Sequence, residues 1–386
     1  MGHVYVIGTA DTKGEELAFL AERIREAGAA PLVVDVGIRA PTIVPDVPAP
    51  EIPATEDRGT AVTAMAEALA AWLLTRGDVD AVVGIGGGGG TAIVTRAMQA
   101  LPFGVPKLMV STLASGDVGP YVGVSDITMM HSVGDIAGLN RITRTVLAQA
   151  AAAIAAMAAV RPAVTTKPAV GLTMFGVTTP CVTRVADALR ATRDPLVFHA
   201  TGTGGRALEM LAASGMLEGL IDATTTEIAD ELVGGVLSAG PDRLDAVARA
   251  GLPWVGAPGA LDMVNFWAPE TIPARFAGRH FHRHNANVTL MRTTPEECRA
   301  IAAFIARKLN AATGPVRLLV PEKGVSALDA PGGAFRDAAA SAALFDGLEA
   351  GIRPTADRRV IRLPLHINDP AFADALVAAY REITES

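Results

Sequence analysis

The chain has 386 residues, half of them apolar and 19% charged, with a net charge of −7. This composition excludes a disordered chain. The acidic balance and an aromatic content of only 4% exclude a general nucleic-acid-binding surface. The length exceeds that of most single cores, so two domains are expected. Two cysteines, Cys181 and Cys298, exclude a disulfide framework and suit a reducing compartment. The first residues form an apolar, strand-like run without a basic leader, and the expected location is cytoplasmic.

In chain order, residues 4–7 read as a strand ending at Gly8-Thr9, and Leu17, Leu20, Ala21 and Ile24 then recur at helical spacing. Residues 32–37 read as the next strand, which makes a βαβ opening and favours a parallel sheet. Asp11, Thr12 and Lys13 lie in the first strand-to-helix loop, where an ammonium and hydroxyls could meet a phosphate; Lys13 reads equally well as a solvated lysine. Asp35 ends the second strand, where nucleotide-binding α/β units often place an acid on a ribose hydroxyl. Five prolines in residues 41–53 predict a loop or arm, and a helix is expected over 62–74.

The next apolar run ends in Gly86, Gly87, Gly88, Gly89 and Gly90, followed by Thr91 and a helical pattern. Such a stretch gives up local propensity, which suits a backbone that turns tightly or is closely approached. At a strand-to-helix junction the free N–H groups favour an anion. The strand at 107–112 breaks into Ser111, Thr112, Ser115, Gly116 and Asp117. The loops 9–13, 86–91 and 111–117 are therefore expected to converge at one sheet edge. The Ala-rich run 146–160 reads as a buried or interface helix, too short for a membrane span.

Residues 161–168 form the best linker candidate, dividing a first lobe (1–165) from a second (166–386). The second opens like the first, with a strand at 170–175, a polar loop, a helix at 182–189 and a strand at 196–201. Segments 219–227 and 253–262 take the places of 80–91 and 107–117, so an internal duplication is expected. Thr201-Gly-Thr-Gly-Gly-Arg206 is a second candidate anion turn. Glu227 and Asp230 share a helix face, suited to acid–base or metal chemistry or simply to the helix dipole. His280, His282 and His284 alternate, and in a strand would share a face able to bind a metal or an anion. A strand at 316–320, a helix at 339–350, a strand at 360–363 and a helix at 371–383 complete the second sheet.

Several stretches together resemble one known family. They are Thr9-Ala-Asp-Thr-Lys-Gly-Glu15, residues 84–91, Ser115-Gly-Asp-Val-Gly-Pro-Tyr121 and Thr173-Met-Phe-Gly-Val-Thr-Thr-Pro-Cys181, with His199-Ala-Thr-Gly-Thr-Gly-Gly205 and residues 224–232. Pro258-Gly-Ala-Leu-Asp-Met-Val-Asn265, His282-Arg-His-Asn285 and Gly324-Val-Ser-Ala-Leu-Asp329 complete the set. The family is typified by the ATP-binding N-terminal part of the plant resistance protein against tomato mosaic virus. The resemblance covers nearly the whole chain and implies two Rossmann-like α/β lobes, ATP in the first lobe and a homodimer. Family members often carry a serine in the glycine loop; here a hydroxyl contact to phosphate would come from Thr91.

The expected protein thus binds ATP or a related nucleotide through residues 86–91, with Thr9, Thr12 and Lys13 assisting, Asp35 at the ribose and Asp11 or Asp117 positioning Mg²⁺. No Lys-Ser/Thr follows the glycines, so the loop is not a Walker A motif. The alternative is an enzyme acting on a small anionic metabolite at a cleft between the lobes, with ATP as co-substrate or regulator. Arg206, Glu227, Asp262, His282 and His284 are its candidate catalytic residues, and the histidine cluster a candidate metal site. A dinucleotide oxidoreductase is disfavoured, because Gly84-x-Gly86-x-x-Gly89 follows a later strand and lacks its partner acid. No nucleic-acid or membrane partner is expected.

Overall fold

Apolar runs that end in glycine or a small polar residue form the parallel strands of the computed structural model, which describes residues 2–53, 55, 57–160 and 166–385. The chain divides into two units, Met1–Ala163 and Val164–Ser386. The stretch 161–168 spans this division, and its residues 161–165 lie outside the described ones.

The first unit runs β1 (His3–Gly8), α1 (Ala10–Glu26), β2 (Pro31–Asp35), α2 (Arg58–Leu74), β3 (Val79–Gly86) and α3 (Gly88–Ala100). It continues with β4 (Lys107–Ser111), α4 (Gly119–Val122), β5 (Ile127–His131) and α5 (Arg141–Ala159). The sheet order is β2-β1-β3-β4-β5, all parallel. Leu17, Leu20 and Ile24 of α1 pack with Val146, Leu147 and Ile154 of α5 on one face. Met65 and Leu69 of α2 pack with Val94 and Met98 of α3 on the other. α5 starts five residues before the Ala-rich run, because Asn140 closes a capping box with Thr143. At 19 residues it is long and apolar enough to cross a membrane, which the shorter run did not suggest; 39% of it is buried within the unit. β5 had no strand-like signal, since of its five residues only Ile127 is buried.

The second unit comprises β6 (Ala169–Met174), α6 (Thr179–Leu189), β7 (Asp194–His199), α7 (Thr203–Ala213), β8 (Gly219–Thr224), α8 (Thr226–Val233), α9 (Asp245–Ala250) and β9 (Trp254–Gly259). An insertion of β10 (Met263–Phe266), β11 (Phe281–Arg283) and β12 (Thr289–Arg292) forms a separate antiparallel sheet. Then come α10 (Pro295–Asn310), β13 (Val316–Pro321), α11 (Ala338–Gly351), β14 (Arg358–Leu363) and α12 (Pro370–Thr384). The main sheet order is β14-β13-β9-β8-β6-β7. Counted within each unit, both sheets read 2-1-3-4-5, and the second adds a sixth strand at its edge. The two units thus share one topology. In each, the strand order reverses beside the first strand, which opens a crevice at the carboxyl edge.

Lys107 is fully buried on β4, and its ammonium meets Asp126, just before β5, at 2.5 Å and the Pro102 carbonyl at 2.8 Å. Burial raises the Asp126 carboxyl, but Lys107 and the Gly104 N–H outweigh it and hold the group below its ordinary value. Removing this carboxylate strands a buried charge. Asp126→Ala is expected to destabilise the first unit by about 3 kcal/mol in denaturant titrations.

Candidate functional site

The crevice of the first unit is a cavity of about 590 Å³. It lies at the ends of β1, β2 and β3, between the amino ends of α1, α2 and α3. Gly87, Gly88, Gly89 and Gly90 form one wall; Thr9, Asp11, Thr12 and Lys13 form another. Val36, Ile38, Val62, Met65 and Ile93 supply an apolar side, and Arg39 and Arg58 add cationic groups. Sequence reasoning missed both arginines. The available signal was Arg58 itself, a cation in the first turn of a helix, where the dipole disfavours it.

The glycine run is more helical than its composition suggests. Gly86 closes β3, Gly87 is the N-cap of α3, and Gly88–Gly90 make its first turn. None of the five has a positive φ. A Cβ on Gly86 would come within 2.9 Å of the backbone of Gly90 and Thr91, so that glycine is required by packing. A Cβ on Gly87, Gly88, Gly89 or Gly90 would meet nothing closer than 3.5 Å. The fold itself therefore has room for side chains at four of the five positions. Helical glycine costs up to about 1 kcal/mol relative to alanine, so these positions are kept bare against local propensity. The amides of Gly88, Gly89 and Gly90 precede the first intrahelical bond, Thr91 N to Gly87 O, and have no acceptor among the described residues.

Other predicted binding residues are used by the fold. Asp35 is buried, and its Oδ1 accepts from Ala10 N at 2.8 Å and Gly37 N at 2.7 Å, closing the amino end of α1. It does not line the cavity. Thr91 is also buried, with its hydroxyl 2.7 Å from that of Ser111, so neither hydroxyl faces a ligand. Ser115, Gly116 and Asp117 are exposed outside the cavity, and Asp117 Oδ1 accepts from Gly119 N. Of this loop, Thr112 lies beside Gly87 and Leu113 beside Gly88, and neither lines the cavity. Of the three loops expected to converge, 9–13 and 86–91 line the cavity, and 111–117 flanks the glycines without lining it. The crevice opens between β1 and β3 on the α2 side, and β4 lies one strand too far. Lys13 lines the cavity but donates to the Ile136 carbonyl; it has non-helical angles inside α1. Asp11 keeps a buried Oδ1 without a donor among the described residues.

In the second unit, Glu227 is completely buried and accepts from Gly202 N (2.7 Å), Gly205 N (2.9 Å) and Arg243 Nε (3.1 Å). The 201–206 turn is therefore filled from within, which corrects its reading as an open anion cradle. Arg243 also meets Asp222 at 2.8 Å and Glu209 at 3.3 Å. Burial would lower the Arg243 pKa, but the three carboxylates outweigh it and hold the group above its ordinary value. Asp230 is buried and accepts from Asn265 N and Leu237 N. Asp262 is buried, with Oδ2 taking the Ser326 hydroxyl at 2.7 Å. Its Oδ1 has no hydrogen-bond partner among the described residues, and Asp329 Oδ1 is paired with Arg336 at 3.7 Å. Burial first, and the neighbouring Asp329 next, push the Asp262 carboxyl up to about 7.

The histidines diverge. His280 and His282 both stand edge-on to Phe335, whereas His284 lines a separate cavity with Arg206. Among the described residues no three His, Cys, Asp or Glu groups come together as metal ligands, so the histidine metal site is not formed. Cys181 is buried and its thiol is pushed up to about 12 by burial; Cys298 is buried as well.

The fold and crevice define a two-unit α/β protein with a ligand-type cavity at the switch point of its first sheet. Residues 2–163 match the N-terminal domain of the uncharacterised protein family UPF0261, and residues 167–384 match its C-terminal domain. The chain belongs to the UPF0261 family. It is 61% identical to a UPF0261 protein of Rhizobium meliloti (strain 1021), with 99% of each chain covered. It is 42% identical to the ToMV resistance protein Tm-1(GCR237) of Solanum lycopersicum, over 99% of this chain but only 56% of the tomato protein. A solved UDP-N-acetylglucosamine 2-epimerase from Rickettsia bellii aligns with 66% of this chain and 79% of its own, at 10% identity and a TM-score of 0.23. That likeness is too slight to bear on function.

Two tests separate structural acids from ligand-facing ones. Asp35→Ala leaves two buried amides unsatisfied and is expected to cost about 1–3 kcal/mol of stability, read by chemical denaturation. Asp262 binds its proton more tightly folded, at about 7, than at its ordinary 3.8. Between those values the folded state carries the extra proton, so stability falls as pH rises towards 7. Asp230, pushed up to about 7 chiefly by burial, adds the same sign. Thermal unfolding should show a melting temperature that drops between about pH 4 and pH 7, and Asp262→Asn should flatten part of that drop.

Proposed function

We propose that the protein binds a nucleoside triphosphate, ATP in the first instance, in the crevice of the first unit. The observation that supports this most is the bareness of Gly87–Gly90. Four positions that the fold could fill are left open, and three free amides face a cavity that also holds Arg39 and Arg58. Anions bind at such helix amino ends through the amides and the dipole. The residues fit the group: the apolar side at Val36, Ile38, Val62, Met65 and Ile93 suits a base, while the glycine amides and Arg58 suit phosphates. Asp11, whose Oδ1 lacks a donor among the described residues, is the candidate partner for a phosphate-bound Mg²⁺. Asp35 and Thr91 act by holding the backbone, not by touching the nucleotide.

A second reading, an ATP-dependent or ATP-regulated enzyme of a small anionic metabolite, is supported by the cavity that Arg206 and His284 border in the second unit. Glu227, Asp262 and His282 do not border it and are not carried forward as catalytic residues. Two buried free cysteines suit a cytoplasmic setting, and the family resemblance suits a homodimer.

Ligand-dependent stabilisation tests the proposal. ATP with Mg²⁺ at about a hundred times its Kd should stabilise the protein by about 2.7 kcal/mol, raising the melting temperature. Gly88→Glu, which places a carboxylate at the amides, should abolish the shift with little loss of stability. Arg58→Gln should weaken binding about tenfold. A Gly88→Glu protein that binds ATP like the unchanged chain would place the nucleotide elsewhere.

A further inference from the structure

The second unit carries a cavity of its own, about 570 Å³, at the carboxyl ends of β6 and β7 and roofed by the inserted antiparallel sheet. Its walls are mainly apolar and aromatic, with Phe175, Leu237, Phe266, Trp267 and Leu290 among them. Cavities of this size and character, with a few converging polar groups, are what small-molecule sites look like. Three groups give this one its chemistry.

The first is Asn265. It lies on the cavity wall, yet it is fully buried. Its Nδ2 donates to both oxygens of Asp230 at 3.2 Å and to Thr226 Oγ1 at 3.3 Å. The amide cannot be turned round, because Oδ1 would then face the Asp230 carboxylate. Oδ1 is therefore fixed as an acceptor, and it has no hydrogen-bond partner among the described residues. A buried acceptor without a donor is costly, of the order of 1–3 kcal/mol, and calls for an explanation. Asn265 has no surface exposed to the cavity, so a ligand hydroxyl or amino group that supplies the donor displaces part of the wall to reach it.

The second is Arg206, an exposed cation on the cavity rim without an acid partner among the described residues. The third is two imidazoles of the lining, His199 and His284, of which His199 stacks on Phe175 with centroids 5.5 Å apart. These groups suit a single negative charge. A polyphosphate is disfavoured, because Glu227 already occupies the Gly202 and Gly205 amides beneath the rim and brings its own charge.

The geometry points to a second, separate binding site here, for a monocarboxylate with an apolar or aromatic body and a hydroxyl or amino donor. The acid meets Arg206, the body fills the aromatic walls, and the donor meets Asn265 Oδ1. This site is independent of the nucleotide crevice.

The test uses the full chain and three matched probes: 3-phenyllactate, 3-phenylpropionate, which lacks the hydroxyl, and the methyl ester of phenyllactate, which lacks the charge. Calorimetry is expected to show saturable binding of phenyllactate and about tenfold weaker binding of either comparator. Arg206→Gln should also weaken phenyllactate about tenfold, and Leu237→Trp should fill the cavity and abolish binding. Gly88→Glu should leave it unchanged, which separates this site from the nucleotide reading. Asn265 is tied into the fold, so it is read without mutation: its side-chain amide resonances should shift on titration. Equal binding of all three probes, no binding of any, or unaltered binding by Leu237→Trp would overturn the site.

Discussion

Backbone amides at the ends of parallel strands must find an acceptor, and in this protein the identity of that acceptor decides which turns are structural and which are open. A buried N–H left unpaired is costly, so a helix that starts beneath a sheet edge needs a carboxylate, a hydroxyl, water or a ligand. At several buried amides the chain supplies its own acid. Asp35 serves Ala10 and Gly37, and Glu227 serves Gly202 and Gly205. Glu16 serves Gly138, while Asp230 serves Leu237 and Asn265. At the amino end of α3 no acid is provided among the described residues. The amino ends of α6 and α8 also lack an acid cap, but threonine side chains fill those turns, whereas glycines follow β3.

Glycine follows the same division. In the second unit it is demanded by the protein's own atoms. A Cβ on Gly204 would fall 1.9 Å from the His199 carbonyl, and one on Gly205 2.0 Å from the Glu227 carboxylate; Gly202 has a φ of +86°. These glycines look like a phosphate loop in sequence and are packing glycines in space. Gly87–Gly90 are the reverse: they meet no such obstacle, and their bareness faces the cavity. Sequence cannot distinguish the two cases, because the atoms that occupy the missing Cβ can come from residues far along the chain, as Glu227 does for Gly205 and Ser238 for Gly202.

The fold was more legible than the site. Apolar runs ending in glycine or threonine gave the strands, and the βαβ opening gave a parallel sheet, because strand and helix periodicities are local properties. The shared strand order of the two units followed from the matching of 219–227 and 253–262 to the first half. What was not legible was either edge-like or non-local. β5 is too exposed to carry a core signal, and the inserted sheet of β10, β11 and β12 buries residues only through pairing that no short window shows. The histidines alternate as a strand should, but β11 spans only Phe281–Arg283, so His284 leaves the shared face. Asp35 and Thr91 were expected to touch the nucleotide and instead hold the fold; their partners, Ala10 N and Ser111 Oγ, could be known only from the register of β1 with β2 and of β3 with β4.

One topology used twice has thus been given two different edges. After β3 the chain places glycines; after the equivalent β8 it places Thr224, Thr225, Thr226 and Glu227, all buried. Thr224 Oγ1 pairs with Thr178 Oγ1 at 2.7 Å, its amide donates to Thr173 Oγ1 at 3.0 Å, and Glu227 turns inward to the 202–205 amides. Side chains fill the crevice that glycines leave open. In the second unit the Gly202 and Gly205 amides are thereby occupied, and the cavity described above is displaced towards β7, under the inserted sheet. That displacement changes the chemistry on offer from free amides and guanidinium groups to aromatic walls, one arginine and a single oriented amide oxygen. A phosphate-rich ligand suits the first edge and a compact organic acid the second, because each takes the electrostatic partner that the internal acids have left unclaimed.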